Sequence, residues 1–202
     1  METSRIFLTA ASCVLVAWTA SAALAADGKA LFADKGCTAC HGEDAKTPLQ
    51  EGYPKLAGQN AEYVFRQLQD IKAGSRANAQ VPDTMAPIAA DLTEADNRAL
   101  ADYLAGLDKF TPATARGPAD AAGRKLYMSK TCIACHGKEG LKPVLPTYPS
   151  VAGQDKAYLA QQMRDIKSSA RKNGETAAMQ PVMHLVNEDE IDAIADYLSN
   201  VK

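Results

Sequence analysis

Two stretches of the chain place two thiols and an imidazole within five residues: Cys37-Thr38-Ala39-Cys40-His41 and Cys132-Ile133-Ala134-Cys135-His136. Each is followed by glycine, Gly42 or Gly137. Cys-x-x-Cys-His is the attachment signature of haem c. The two thiols add to the haem vinyl groups as thioethers, and the adjacent His reaches the iron as the proximal ligand. One tight turn must supply all three groups, which fixes the spacing. Other chemistries fit less well. A structural zinc site needs four convergent ligands, and these pairs lie 95 residues apart, each short of partners. Thioredoxin-like redox chemistry belongs to a βαβ context, and the chain shows no convincing alternating strand run. Two plain disulfides, the default for four cysteines in an oxidising compartment, leave the paired His unexplained.

The two motifs belong to an internal repeat. The same offset of 95 relates Tyr53-Pro54-Lys55-Leu56-Ala57-Gly58-Gln59 to Tyr148-Pro149-Ser150-Val151-Ala152-Gly153-Gln154, and Asp70-Ile71-Lys72 to Asp165-Ile166-Lys167. Near the end the offset is 94, matching Ala101-Asp102-Tyr103-Leu104 to Ala195-Asp196-Tyr197-Leu198. Two copies mean a duplicated domain rather than a solenoid. The repeat also supplies a sixth ligand for each iron. Met85 and Met179 each lie eight residues before the cap of the last helix, at Thr93 and Asn187. Met is a flexible filler of cores, but two equivalent thioethers in two haem domains point to ligation. Met183 and His184 match Ala89 and Ala90 and have no counterpart. Met183 is expected to pack near haem and His184 to lie on the surface. Met163 aligns with Leu68 and reads as core. A carbonyl from Tyr53-Pro54 or Tyr148-Pro149 can accept the axial His Nδ1–H and fix the ring; equally, that turn can simply wall the haem edge.

The elements that position these groups read as helices. Short segments at 28–35 and 123–130 precede the cysteine pairs, and an irregular Gly/Pro stretch follows each. Val64, Leu68 and Ile71, like Leu159, Met163 and Ile166, fall at i, i+4 and i+7 of an amphipathic helix. Thr93-x-x-Asp96 and Asn187-x-x-Glu190 are capping signals for the last helix, whose apolar stripe in the second copy is Ile191, Ile194, Ala195 and Leu198. The stretches before Met85 and Met179 read as loop. The expected fold is all-α: residues 26–110 form one domain, 111–118 a linker, and 119–202 a second domain.

Residues 1–25 read as a cleaved export signal. Arg5 supplies positive charge, residues 6–18 are apolar but short for a membrane span, and Ala23-Leu24-Ala25 fits a small-x-small cleavage site. Cys13 falls inside the discarded segment. The net charge of −2 carries no footprint for nucleic acid. Residues 27–110 hold 9 basic and 13 acidic residues and residues 111–202 hold 12 and 10, a weak dipole that can orient docking. Aromatic residues are only 6% of the chain, few for filling two small cores without a large apolar cofactor.

Two domains with Cys-x-x-Cys-His-Gly, then Tyr-Pro-x-Leu/Val-Ala-Gly-Gln, then Met ahead of an Ala-Asp-Tyr-Leu helix resemble the dihaem cytochrome c4 family, tandem class I cytochrome c domains, over essentially the whole mature chain. The resemblance implies two covalent haem c groups, attached at Cys37/Cys40 and Cys132/Cys135, with axial pairs His41/Met85 and His136/Met179. It implies a periplasmic carrier of single electrons, loosely associated with the membrane, working between partners such as a quinol-oxidising complex and a terminal oxidase. No small-molecule substrate is expected, because a six-coordinate iron has no open position. The alternative is a dihaem subunit of a periplasmic dehydrogenase, such as a flavocytochrome sulfide dehydrogenase. A dihaem peroxidase would need an opening haem, against which the matched Met residues argue.

Overall fold

The computed structural model describes residues 27–111, 115–118 and 121–202. The export signal read at 1–25, the start of the mature chain at Ala26, and parts of the linker (112–114) and of the second domain's start (119–120) lie outside the described residues.

The order of helices is the same in both halves. The first has α1 (Gly28–Asp34), α2 (Thr38–His41), α3 (Ala61–Lys72), α4 (Val81–Ala90) and α5 (Glu94–Gly106). The second has α6 (Ala122–Ser129), α7 (Cys132–His136), a 3-10 turn (Lys138–Gly140), α8 (Lys156–Lys167), α9 (Thr176–Met183) and α10 (Glu188–Ser199). No β-strand occurs among the described residues.

The last helix is the spine of each half. Its start is fixed by a capping box: Thr93 and Asp96 satisfy each other's backbone N–H groups in α5, and Asn187 and Glu190 do so in α10. Such a cap contributes about 1 kcal/mol. The first helix and the amphipathic helix then pack on it, α1 and α3 on α5, α6 and α8 on α10. The apolar residues at helical spacing meet there. Phe32, Leu100 and Leu104 are buried in the first core, and Tyr127, Ile191, Ile194 and Leu198 in the second.

The stretches ahead of Met85 and Met179 are not simply loop. After short non-helical segments, α4 and α9 begin at Val81 and Thr176 and carry the methionines. Each helix contains a proline two residues after its Met, Pro87 or Pro181. An interior proline removes a helical hydrogen bond, which disguises the element in sequence. Contacts with α3 and α8 hold these helices in place.

The segment connecting the halves is anchored to the second half. Thr111 and Ala115 are buried, the Thr111 hydroxyl donates to the Ala152 carbonyl at 3.0 Å, and the Arg116 N–H donates to the Lys202 carbonyl at 3.1 Å.

The crossing of the first and last helices depends on a glycine in each copy. A β-carbon on Gly28 would lie 2.1 Å from the Ala99 carbonyl oxygen, and one on Gly123 would lie 1.9 Å from that of Ala193. Gly28→Ala and Gly123→Ala are therefore each expected to destabilise by about 1–3 kcal/mol, the cost of overpacking, in denaturant unfolding. Gly106→Ala, at a position with open space around it, should cost little.

Candidate functional site

Each Cys-x-x-Cys-His motif forms a short helix between two loops. The glycine that follows is structurally required. Gly42 and Gly137 have φ of 79° and 75°, and a β-carbon on them would lie 2.2 Å from the Thr47 carbonyl oxygen and 1.9 Å from that of Lys142. The chain thus turns back sharply after the histidine. On the return, the Leu49 N–H donates to the Cys40 carbonyl and the Val144 N–H to the Cys135 carbonyl, both at 3.0 Å.

The histidines are held from the Tyr-Pro segment. His41 Nδ1 lies 2.9 Å from the Pro54 carbonyl and His136 Nδ1 lies 3.1 Å from the Pro149 carbonyl. A carbonyl can only accept, so Nδ1 carries the proton and Nε2 keeps its lone pair. Burial pushes both imidazoles below the usual histidine range, the carbonyls pulling back in part, so both rings are neutral at pH 7. Tyr53 and Tyr148 stand beside them with ring centroids 6.3 and 6.4 Å away. Of the two roles open to this segment, the carbonyl contact is present in both halves.

None of the four cysteines is paired in a disulfide. Before haem is attached, burial raises the Cys37 thiol and pushes Cys132 up to about 11. Met85 and Met179 are part-buried on α4 and α9. Met183 is 2% exposed and borders the cavity, Met163 is in the core, and His184 lies on the surface.

All eight residues selected from the sequence, the four cysteines, His41, His136, Met85 and Met179, line one continuous cavity of about 460 Å³ that runs from the first half into the second. Its walls include Val64, Leu68, Leu159 and Ile166 of the amphipathic helices. Arg76 also borders it, with its guanidinium buried and its Nε lacking a protein partner. Haem suits this lining: thiols for the vinyl groups, a neutral imidazole and a thioether for the iron, apolar walls for the macrocycle, and a buried cation for a propionate.

Where the cavity crosses between the halves, a polar clamp with approximate two-fold symmetry joins them. The Gln59 amide donates to the Ser150 carbonyl at 2.9 Å and accepts the Ser150 N–H at 2.8 Å. Gln154 does the same with Lys55, again at 2.9 and 2.8 Å. Asn78 donates to Asp165 and Asn173 to Asp70, both at 2.6 Å. Arg76 donates to the Tyr158 hydroxyl at 3.1 Å and Arg171 to that of Tyr63 at 3.3 Å. Every pair obeys the repeat offset, the pattern of an isologous dimer interface with the two copies on one chain. Sequence reasoning found the Tyr-Pro…Ala-Gly-Gln element but not this use of its glutamines.

This architecture and these paired loops define a tandem c-type cytochrome, and comparison with known proteins agrees. The Cytochrome c family model matches residues 25–108 and again 121–202. The chain is 32% identical over 195 residues to a thiosulfate dehydrogenase electron acceptor of Stutzerimonas stutzeri, covering 89% of this chain and 88% of that one. It is 32% identical over 184 residues to cytochrome c4 of the same species, covering 82% and 84%. The solved cytochrome c4 of Acidithiobacillus ferrooxidans superposes with a TM-score of 0.72 at 27% identity, covering 83% of this chain and 99% of that one. The chain belongs to the dihaem cytochrome c4 family: it is an electron-transfer protein with two covalently bound haem c groups.

The clamp makes a direct prediction. Gln59→Ala strips both partners from the buried Ser150 backbone, and Gln154→Ala strips both from Lys55. An unpaired buried polar group costs about 1–3 kcal/mol, so each variant should unfold at lower denaturant concentration than the unmodified protein while binding two haems.

Proposed function

We propose that His41 and Met85 ligate the iron of the first haem from opposite sides and His136 and Met179 that of the second, with thioether links at Cys37, Cys40, Cys132 and Cys135. One observation carries this reading. In both halves a proline carbonyl holds the histidine Nδ1, leaving Nε2 as the donor, and a methionine at the equivalent place on the short helix lines the same cavity. Haem iron supplies a one-electron couple. The chain's residues would hold that iron through an imidazole and a thioether and wall the macrocycle with apolar side chains. With both axial positions taken, electrons enter and leave without a bound substrate. The methionine thioether raises the reduction potential relative to a second imidazole.

The protein is read as a periplasmic carrier, exported by residues 1–25, that takes electrons from a donor such as a quinol-oxidising complex and passes them towards a terminal oxidase, with loose membrane association. A second reading, acceptor for a periplasmic dehydrogenase, is favoured by the likeness to a thiosulfate dehydrogenase electron acceptor. Mixing the oxidised protein with either donor, and the reduced protein with oxidase-containing membranes, separates the two. Fast reduction by thiosulfate dehydrogenase with no oxidation by the membranes would overturn the first.

The ligands are tested by mass and potential. The exported protein should carry the added mass of two haems. Met85→His should lower the potential of the first haem alone and Met179→His that of the second, axial ligands moving haem potentials over ~0.8 V. An optical redox titration with neither couple shifted would remove the methionines from the iron.

A further inference from the structure

The halves differ in a buried charged cluster beside the second Cys-x-x-Cys-His loop. Glu139 follows His136 by three residues in the 3-10 turn, at φ 57°. That left-handed conformation is disfavoured for a residue with a β-carbon. Its side chain is nonetheless 4% exposed. One carboxylate oxygen accepts from Arg124 Nη2 of α6 at 3.2 Å, and the other accepts from the Tyr197 hydroxyl of α10. Nearby on α6, the Tyr127 hydroxyl donates to the Gly137 carbonyl at 2.7 Å, inside the haem-attachment turn.

The first half has none of this. The residue at the place of Glu139 is Asp44, which is exposed and folded onto its own loop, accepting the Lys46 and Thr47 N–H groups at 2.8 Å each. Exposed Lys29 stands where Arg124 does, and Phe32, without a hydroxyl, stands where Tyr127 does.

We infer that Glu139 sets the reduction potential of the second haem: its buried carboxylate holds that haem lower than its ligands alone would, and so governs how an electron divides between the two sites. The inference rests on the haem reading above. A ferric site carries one more positive charge than a ferrous one, so a fixed anion nearby favours the ferric state. The counter-charge does not cancel this. The Arg124 side chain is 35% exposed against 4% for Glu139, so water screens the cation more than the anion. The first haem has no equivalent buried carboxylate in its turn.

The test is an optical redox titration of the dihaem protein and two variants, with the couples assigned by the shift in Met85→His. Glu139→Gln keeps the shape and removes the charge. It should raise the second couple alone, moving electron sharing towards the second haem by about threefold or more, which is about 28 mV at 59 mV per tenfold. Arg124→Gln leaves the anion less compensated and should shift the second couple downward. Opposite shifts are the mark of charge, since loosened packing would move both variants the same way. The inference is overturned if the second couple stays put, if both variants shift it in one direction, or if the first couple follows it equally. Should Glu139→Gln fail to accumulate, Glu139→Ala removes the same charge in its place: a rise in the second couple alone, opposite to the shift in Arg124→Gln, supports the inference, and an unmoved couple overturns it. Mass and absorption spectrum of the unmodified protein test the haem reading separately. Two intact haems with unmoved couples sink Glu139 alone.

Discussion

A five-residue turn must present two sulfurs and one nitrogen to the same face of a planar group, and the rest of each half is arranged around that demand. The turn cannot do it unaided. A glycine with positive φ must follow, because the returning chain passes too close for a side chain. The returning chain then hydrogen-bonds to the second cysteine's carbonyl and delivers a proline whose carbonyl orients the imidazole. Proline cannot donate, but its carbonyl is a full acceptor, and its fixed φ stiffens the strut. The hydrogen bond that orients each ring comes from backbone, which is why Lys55 and Ser150 can differ next door without disturbing it.

The second demand is that two such sites share one molecule. Duplication alone would give two beads on a string. Here each copy offers the other the same surface: a glutamine for the backbone beside the proline, an arginine for a tyrosine, an asparagine for an aspartate. The glutamine clamp grips the residue next to the proline that holds the partner half's histidine. Interdomain contact and haem positioning are thus mechanically continuous. The buried arginines near the cavity also keep positive charge at the junction, where acidic groups of the cofactor can be neutralised without exposing the junction to water.

Much of this was legible in sequence because it is local. The Cys-x-x-Cys-His-Gly turns, the capping boxes at Thr93 and Asn187, and the apolar spacing along α3, α8 and α10 are patterns of near neighbours. The helices that carry Met85 and Met179 were not legible, since an interior proline in each contradicts the local helical signal and only packing on α3 and α8 overrides it. The clamp was half visible. Tyr63, Gln67, Asp70, Arg76 and Asn78 recur unchanged at the repeat offset as Tyr158, Gln162, Asp165, Arg171 and Asn173. Polar residues kept identical in two otherwise divergent copies signal a contact between them, but nothing local says which residue each one meets. Glu139 was invisible, because an acidic residue in a loop reads as solvated until Arg124 and Tyr197 are brought to it from distant helices.

What the symmetry gives, it also withholds. Two copies of a site identical in every group around the cofactor would hold an electron equally well, and such a pair has no internal direction. Direction has to come from whatever breaks the repeat. The formal charges of the halves differ, but they are spread over exposed side chains whose fields are damped by salt within roughly 8 Å. Buried differences escape that damping. The buried differences include Glu139 for Asp44 and Tyr127 for Phe32 at one haem-attachment turn, with part-exposed Arg124 for Lys29 beside them, and Met183 for Ala89 at the cavity wall. For a one-electron couple about 59 mV is a tenfold preference, so a difference of that size between the halves is enough to bias which haem is reduced first, while the two-fold frame keeps the pair together.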